Sequence, residues 1–61
     1  MFKDKLKEIR KDRNLTQAEL AELVGVSQSS VYLWERGASN PGYGTLVLLS
    51  TKLEIDIKEL L

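Results

Sequence analysis

The apolar positions of this chain keep helical spacing from end to end, and short polar signals divide them into elements. Phe2, Leu6 and Ile9 recur at i, i+4 and i+7, which keeps one face of a helix apolar over the first dozen residues. Asn14 follows, a residue suited to the left-handed conformation in which helices often end. Thr16 and Glu19 then make a capping box, with Leu15 and Leu20 placed as its hydrophobic staple, and Asp56 with Glu59 repeats the device between Ile55 and Leu60. Ser27, between Val26 and Val31, has the cap and the staple but lacks the acidic third residue. Helix starts are therefore expected at about 17, 28 and 57. Another element, Tyr43 to Leu53, follows the turn-rich GASNPG and carries Leu46, Leu49 and Leu53 at i, i+3 and i+7. The expectation is an all-α chain of five short helices without a strand, forming one domain over residues 1–61. Its expected core is Leu6, Ile9, Leu20, Ala21, Val24, Val31, Trp34, Leu46, Leu49, Leu53 and Leu60.

Composition removes most chemistry from consideration. With 61 residues the chain can bury only one small core. It has no cysteine and no histidine, which takes away disulfides, thiol chemistry, a zinc site and a histidine-based triad. No nucleophile is paired with a base, so no enzyme, cofactor, metal or small-molecule substrate is expected. MFKDKLKEIR is charged from its third residue, and the longest apolar run, Leu46 to Leu49, is far too short to span a bilayer. A cytoplasmic protein with no membrane partner is the corresponding expectation. The formal net charge is zero, yet six basic and three acidic residues lie in the first 13 positions, and the remainder reverses that balance. Mixed signs at i and i+4 there also describe a plain solvated helix face.

The most informative stretch is QAELAELVGVSQSSVYLWER. Two helices meet across roughly three residues, too few for an antiparallel hairpin, so they cross steeply. Gly25 can take the positive φ of the sharp turn, Ala21 permits close approach, and Val26, Val31 and Trp34 with Leu20 and Val24 fill the wedge. Helical spacing then leaves Tyr32 and Leu33 on the side that Val31 and Trp34 do not occupy, two bulky side chains facing outward.

LTQAELAELVGVSQSSVYLWERG, followed by NP, TL and IDIKELL, resembles the Cro/C1-type helix-turn-helix domains, the XRE family that includes phage repressors of the lambda class. The resemblance covers nearly the whole chain. It implies a five-helix, lambda repressor-like domain that binds double-stranded operator DNA as a homodimer and regulates transcription. It also implies that residues 28–35 enter the major groove while residues 17–24 point their first turn at the backbone. Base contacts are then expected from Gln28, Ser29, Leu33 and Gln17, and backbone contacts from Ser27, Tyr32, Arg36, Ser39, Asn40 and Tyr43. The chemistry agrees: a glutamine amide can hold adenine N6 and N7 by two hydrogen bonds, and a leucine in the groove has only the thymine methyl to pack against. Blander readings stand beside these, with Ser27 a cap, the loop residues simple turn chemistry, and Gln28 and Leu33 ordinary exposed side chains. Arg10 and Glu35 fall in core-facing stripes, where the resemblance implies an ion pair tying the first helix to the recognition helix.

Three departures from the family pattern stand out. The chain is neutral, Glu54 stands where a glycine commonly ends the fourth helix, and Val47 and Leu48 replace residues that are often polar. Four consecutive apolar residues cannot all face one core, so a homodimer interface is expected from Val47, Leu48, Leu60 and Leu61. Neutrality also favours an alternative, a protein-interaction or antitoxin-type module that docks a partner on the Tyr32 and Leu33 face, whereas Gln17 and Gln28 favour DNA.

Overall fold

A computed structural model describes residues 1–61. The elements are α1 (Phe2–Asp12), α2 (Gln17–Val24), α3 (Gln28–Arg36), α4 (Tyr43–Leu53) and a closing 3-10 turn, Ile57–Leu60. Four α-helices and a turn thus replace the five helices expected. The last element spans only four residues after its Asp56 cap, and it closes by bonds such as Glu59 N–H to Asp56 O (2.9 Å) and Leu61 N–H to Lys58 O (3.2 Å). So short a piece closes i to i+3 more readily than it pays out a full α turn.

Helix beginnings follow the polar signals. Thr16 Oγ1 accepts from Glu19 N–H at 3.0 Å while Glu19 Oε1 accepts from Thr16 N–H at 2.8 Å, closing the box ahead of α2. Ser27 Oγ accepts from Ser30 N–H at 3.1 Å, and the Ser30 hydroxyl, 2.9 Å from it, stands where the other boxes have glutamate. At the last turn Asp56 Oδ1 accepts from Lys58 N–H, and Glu59 Oε2 accepts from Asp56 N–H. Helix ends use left-handed residues: Asn14 (φ 57°), Gly25 (φ 87°), Gly37 (φ 77°) and Glu54 (φ 57°). At Gly25 the reversal brings Val26 N–H to Ala21 O at 3.0 Å, which fixes the short turn between α2 and α3. Asparagine tolerates this conformation, but glutamate suffers the clash of its Cβ with the carbonyl.

The core consists of Leu6, Leu20, Ala21, Val24, Val31, Trp34, Leu49, Leu53 and Leu60, with Phe2, Ile9, Leu15, Val26, Leu46 and Ile55 packed half-buried around it. Every expected core residue is in one of these two groups. Leu60 corrects the interface expectation, because it is 0% exposed and the turn delivers it wholly into this core. Withdrawing a buried leucine would cost about 2 kcal/mol, so it is not available to a partner. Leu61, 68% exposed, points out.

A charged group sits at the edge of the same core. Glu35 is buried on α3, and its carboxylate accepts from Arg10 Nε (2.7 Å) and Nη2 (3.0 Å) on α1 and from Gln17 Nε2 (3.1 Å) on α2. Arg10 Nη1 also donates to the Leu15 carbonyl at 2.7 Å, joining the α1–α2 connection to the cluster. Burial raises the Glu35 pKa, but the hydrogen bonds from Arg10 and Gln17 and the charges of Arg10 and Lys7 outweigh it, holding the carboxyl below its ordinary value. The bond to Glu35 in turn raises Arg10, against the opposing effect of burial.

Two outcomes are expected. Glu54→Gly removes the left-handed strain and raises stability by about 1 kcal/mol, a gain of several degrees in melting temperature for a domain of this size; a lower melting point would refute the strain. Arg10→Met leaves the carboxylate short of its main partner and destabilises by about 3 kcal/mol in chemical denaturation. Because the folded Glu35 pKa lies below the unfolded one, its contribution is complete above the ordinary carboxylate range and disappears in acid. Glu35→Gln is therefore less stable than the parent near neutrality, and the gap narrows as pH falls below about 4. A gap that stays constant from pH 7 to pH 2 would remove the ion pair from this role.

Candidate nucleic-acid interface

The two faces of α3 have opposite destinies. Val31, Trp34 and Glu35 are buried, whereas Gln28, Ser29, Tyr32, Leu33 and Arg36 are exposed. Period 3.6 explains the division: Gln28, Leu33 and Arg36 are five and three residues apart, with Ser29 and Tyr32 between them on the same flank. Tyr32 and Leu33, at 46% and 40% exposure, are the outward bulky pair that the sequence suggested.

The α2–α3 turn carries the first turn of α2 to this face. Gln17, Gln28, Ser29 and Tyr32 together line one shallow depression. Gln17 differs from the others in being half-buried and anchored, since one of its amide N–H bonds is committed to Glu35. Glu35 thereby orients the amide and leaves its second N–H and its oxygen open for a neighbour. Gln28 and Ser29 make no side-chain hydrogen bond inside the protein and are open to an external partner.

Tyr32 and Arg36 form a unit, one turn apart on α3. Arg36 Nη1 donates to the Tyr32 hydroxyl at 2.9 Å, and its guanidinium carbon lies 5.5 Å from the ring centroid. The tyrosine oxygen acts as acceptor in this bond, so its own proton is free for an anion, and arginine keeps further N–H groups for the same purpose. The sequence reading named both residues but missed their contact, although i, i+4 spacing was its signal.

Ser27 is the α3 cap and its hydroxyl is engaged there, which bears out its capping role. Ser39 and Asn40 are exposed in the loop after α3, and Tyr43 projects from the first turn of α4. Gly42 starts that helix with no side-chain cap, so its first N–H groups point outward without a protein acceptor. Positive dipole ends of this kind favour anionic groups.

On another side, Val47 and Leu48 are exposed on α4 as expected, with Leu61 also exposed. The neighbouring hydroxyls do not interrupt this apolar surface: Ser50 Oγ and Thr51 Oγ1 both donate to the Val47 carbonyl, at 2.8 and 2.9 Å. No group of acidic, cysteine or histidine residues is arranged to hold a metal ion. No helix is long and apolar enough to cross a membrane.

The arrangement has clear counterparts. YqaE of Bacillus subtilis (strain 168), an HTH-type transcriptional regulator, is 34% identical over 61 residues, which are 100% of this chain and 53% of that protein. BcrR of Enterococcus faecalis, an HTH-type transcriptional activator, is 38% identical over 60 residues, 98% of this chain and 29% of its own length. The chain thus spans about half or less of these curated relatives. Among solved structures, the restriction-modification controller protein C.AhdI from Aeromonas hydrophila superposes with a TM-score of 0.91 at 37% identity, over 98% of this chain and 91% of that one. The sequence model of the helix-turn-helix family matches residues 6–60, and with α2 and α3 disposed around Gly25 as that motif requires, the chain belongs to the helix-turn-helix family.

Proposed function

We propose that this domain is a sequence-specific DNA-binding transcriptional regulator that sets α3 in the major groove of an operator. One observation carries the reading: the outer face of α3 exposes Gln28 and Ser29, whose side chains make no hydrogen bond within the protein, together with Leu33, while Val31, Trp34 and Glu35 on its other side are buried. Gln28 and Ser29 occupy the first turn, which in helix-turn-helix docking lies against base edges. Gln28 reads a base by amide donor and acceptor together, and Leu33 packs on a thymine methyl. Gln17 joins the base contacts through the amide that Glu35 orients, whose second N–H and oxygen remain for a base edge, and Ser27, Tyr32, Arg36, Ser39, Asn40 and Tyr43 hold the backbone around them. The regulators and activators among its relatives support the same reading.

A homodimer completes the proposal. The domain measures 23 × 22 × 19 Å, less than the roughly 34 Å between successive half-sites on one face of DNA, so two recognition helices require two copies. Val47, Leu48 and Leu61 supply the apolar surface for a symmetric contact, with Leu60 holding that turn in place from within.

Binding-site selection from random duplexes tests the function directly, and recovery of a two-fold motif is the expected result. Against the selected site, Gln28→Ala loses about 1 to 3 kcal/mol with relaxed preference at one position. Leu33→Ala loses about 1 kcal/mol and loses less where the contacted thymine is replaced by uracil, which lacks the methyl. Equal losses on selected and random DNA would demote both residues to backbone contacts. If Leu33→Ala binds DNA normally but no longer holds a protein partner, the apolar face is a docking surface instead.

Leu48→Lys is expected to keep the fold, since Leu48 is already exposed, and to abolish cooperative binding to the two half-sites. Sedimentation with and without operator checks it; unchanged cooperativity would place the interface elsewhere.

A further inference from the structure

The zero net charge conceals a sorted surface on α1. Successive residues turn about 100° around a helix, so Lys3, Lys7, Arg10 and Lys11 fall on one arc, Asp4, Glu8 and Asp12 on the next, and Phe2, Leu6 and Ile9 on the core side. The basic arc borders α3. Arg10 bonds Glu35 near one end, and at the other the stem of Lys3 lies across Gly37, where an added Cβ would meet its Cδ at 3.0 Å. Lys3 also shares a shallow depression with Gly37 and Asn40, at the start of the loop after α3. Lys7 lies between Lys3 and Arg10 on the same stripe, close enough for its charge to act on Glu35. The acidic arc turns the other way, and Glu8 and Asp12 meet Glu59 beside the closing turn.

Within the basic arc only Arg10 has an acidic partner, because Arg10–Glu35 is the single ion pair of the protein. Lys3 and Lys7 hold unpaired charge beside the C-terminal half of α3 and the Gly37–Asn40 loop. Asn40, which lines that depression with Lys3, is exposed.

We propose that Lys3 and Lys7 form an additional phosphate-binding edge, which takes the DNA backbone where it leaves α3 and the following loop. The inference rests on the DNA-binding reading above. A neutral protein has little uniform attraction for duplex DNA, so its affinity depends on unpaired charges placed along the backbone path. The sorting on α1 supplies them and directs the acidic arc away.

The test is the salt dependence of binding to the selected operator and to a random duplex. Lys7→Gln and Lys3→Gln are each expected to make the log–log slope shallower by about 0.9, by the same amount on both DNAs, because one released counterion is lost per contact. Lys3→Arg is expected to restore the slope, and Lys5→Gln, on the acidic side of the helix, to leave it unchanged. Thermal melting verifies that each variant is folded; if Lys3→Gln disturbs its packing on Gly37, Lys7→Gln decides the matter alone. A parental slope in folded Lys7→Gln, or a slope change as large in Lys5→Gln, overturns the edge. A parent protein that binds neither duplex overturns the DNA-binding reading instead, and the two failures are distinct.

Discussion

The carboxylate of Glu35 is the point on which the arrangement of this domain depends. It lies on the buried side of α3, whose outer side carries Gln28, Ser29 and Leu33, and it receives donors from α1 and α2 together. An ionised group in such a place is costly unless its hydrogen bonds are complete, and here no buried side-chain nitrogen or oxygen lacks a partner. The net stabilisation from such a cluster is small, because desolvation offsets most of the attraction. Its value is geometric. Only one rotation and one depth of α3 let Glu35 face both Arg10 and Gln17, so the pose of the outer face is set from within.

That constraint also changes what Gln17 can be. A free glutamine at a helix start could turn its amide to either edge of a base, but this one has an N–H held at 3.1 Å by Glu35. The same carboxylate that fixes α3 therefore orients a polar group on α2 beside Gln28. A similar economy operates between Tyr32 and Arg36, each restricting the other's rotamers before any ligand arrives. Ordered side chains have less freedom to lose on binding.

Much of the fold was legible because its determinants are local. Thr16 with Glu19, Ser27, and Asp56 with Glu59 act within three residues of themselves, and the caps lie where their residue types put them. The wedge of Ala21, Val24, Val31 and Trp34 follows from periodicity and one turn glycine. Features that join distant segments were less accessible. Nothing in the spacing of Gln17 indicates that a residue 18 positions later will hold its amide. Leu60 satisfies a core pattern and an interface pattern equally, and only the path of the 3-10 turn decides between them. The position of Lys3 over Gly37 arises from how α1 crosses the end of α3, which no local signal encodes. For the outer face of α3, the sequence gives which residues face out but not what they touch.

The separation of the two faces of α3 makes address and architecture nearly independent. Gln28 and Ser29 bond to nothing else in the protein, and Leu33 lies outside the core, so their replacement leaves Val31, Trp34 and Glu35 in place. Exposed helical positions of this kind tolerate exchange within a few tenths of a kcal/mol, well inside the stability of even a small domain. On the DNA-binding reading proposed above, a lineage built on this scaffold acquires a new vocabulary of recognised sequences through a handful of substitutions, with no intermediate that must first relearn how to fold.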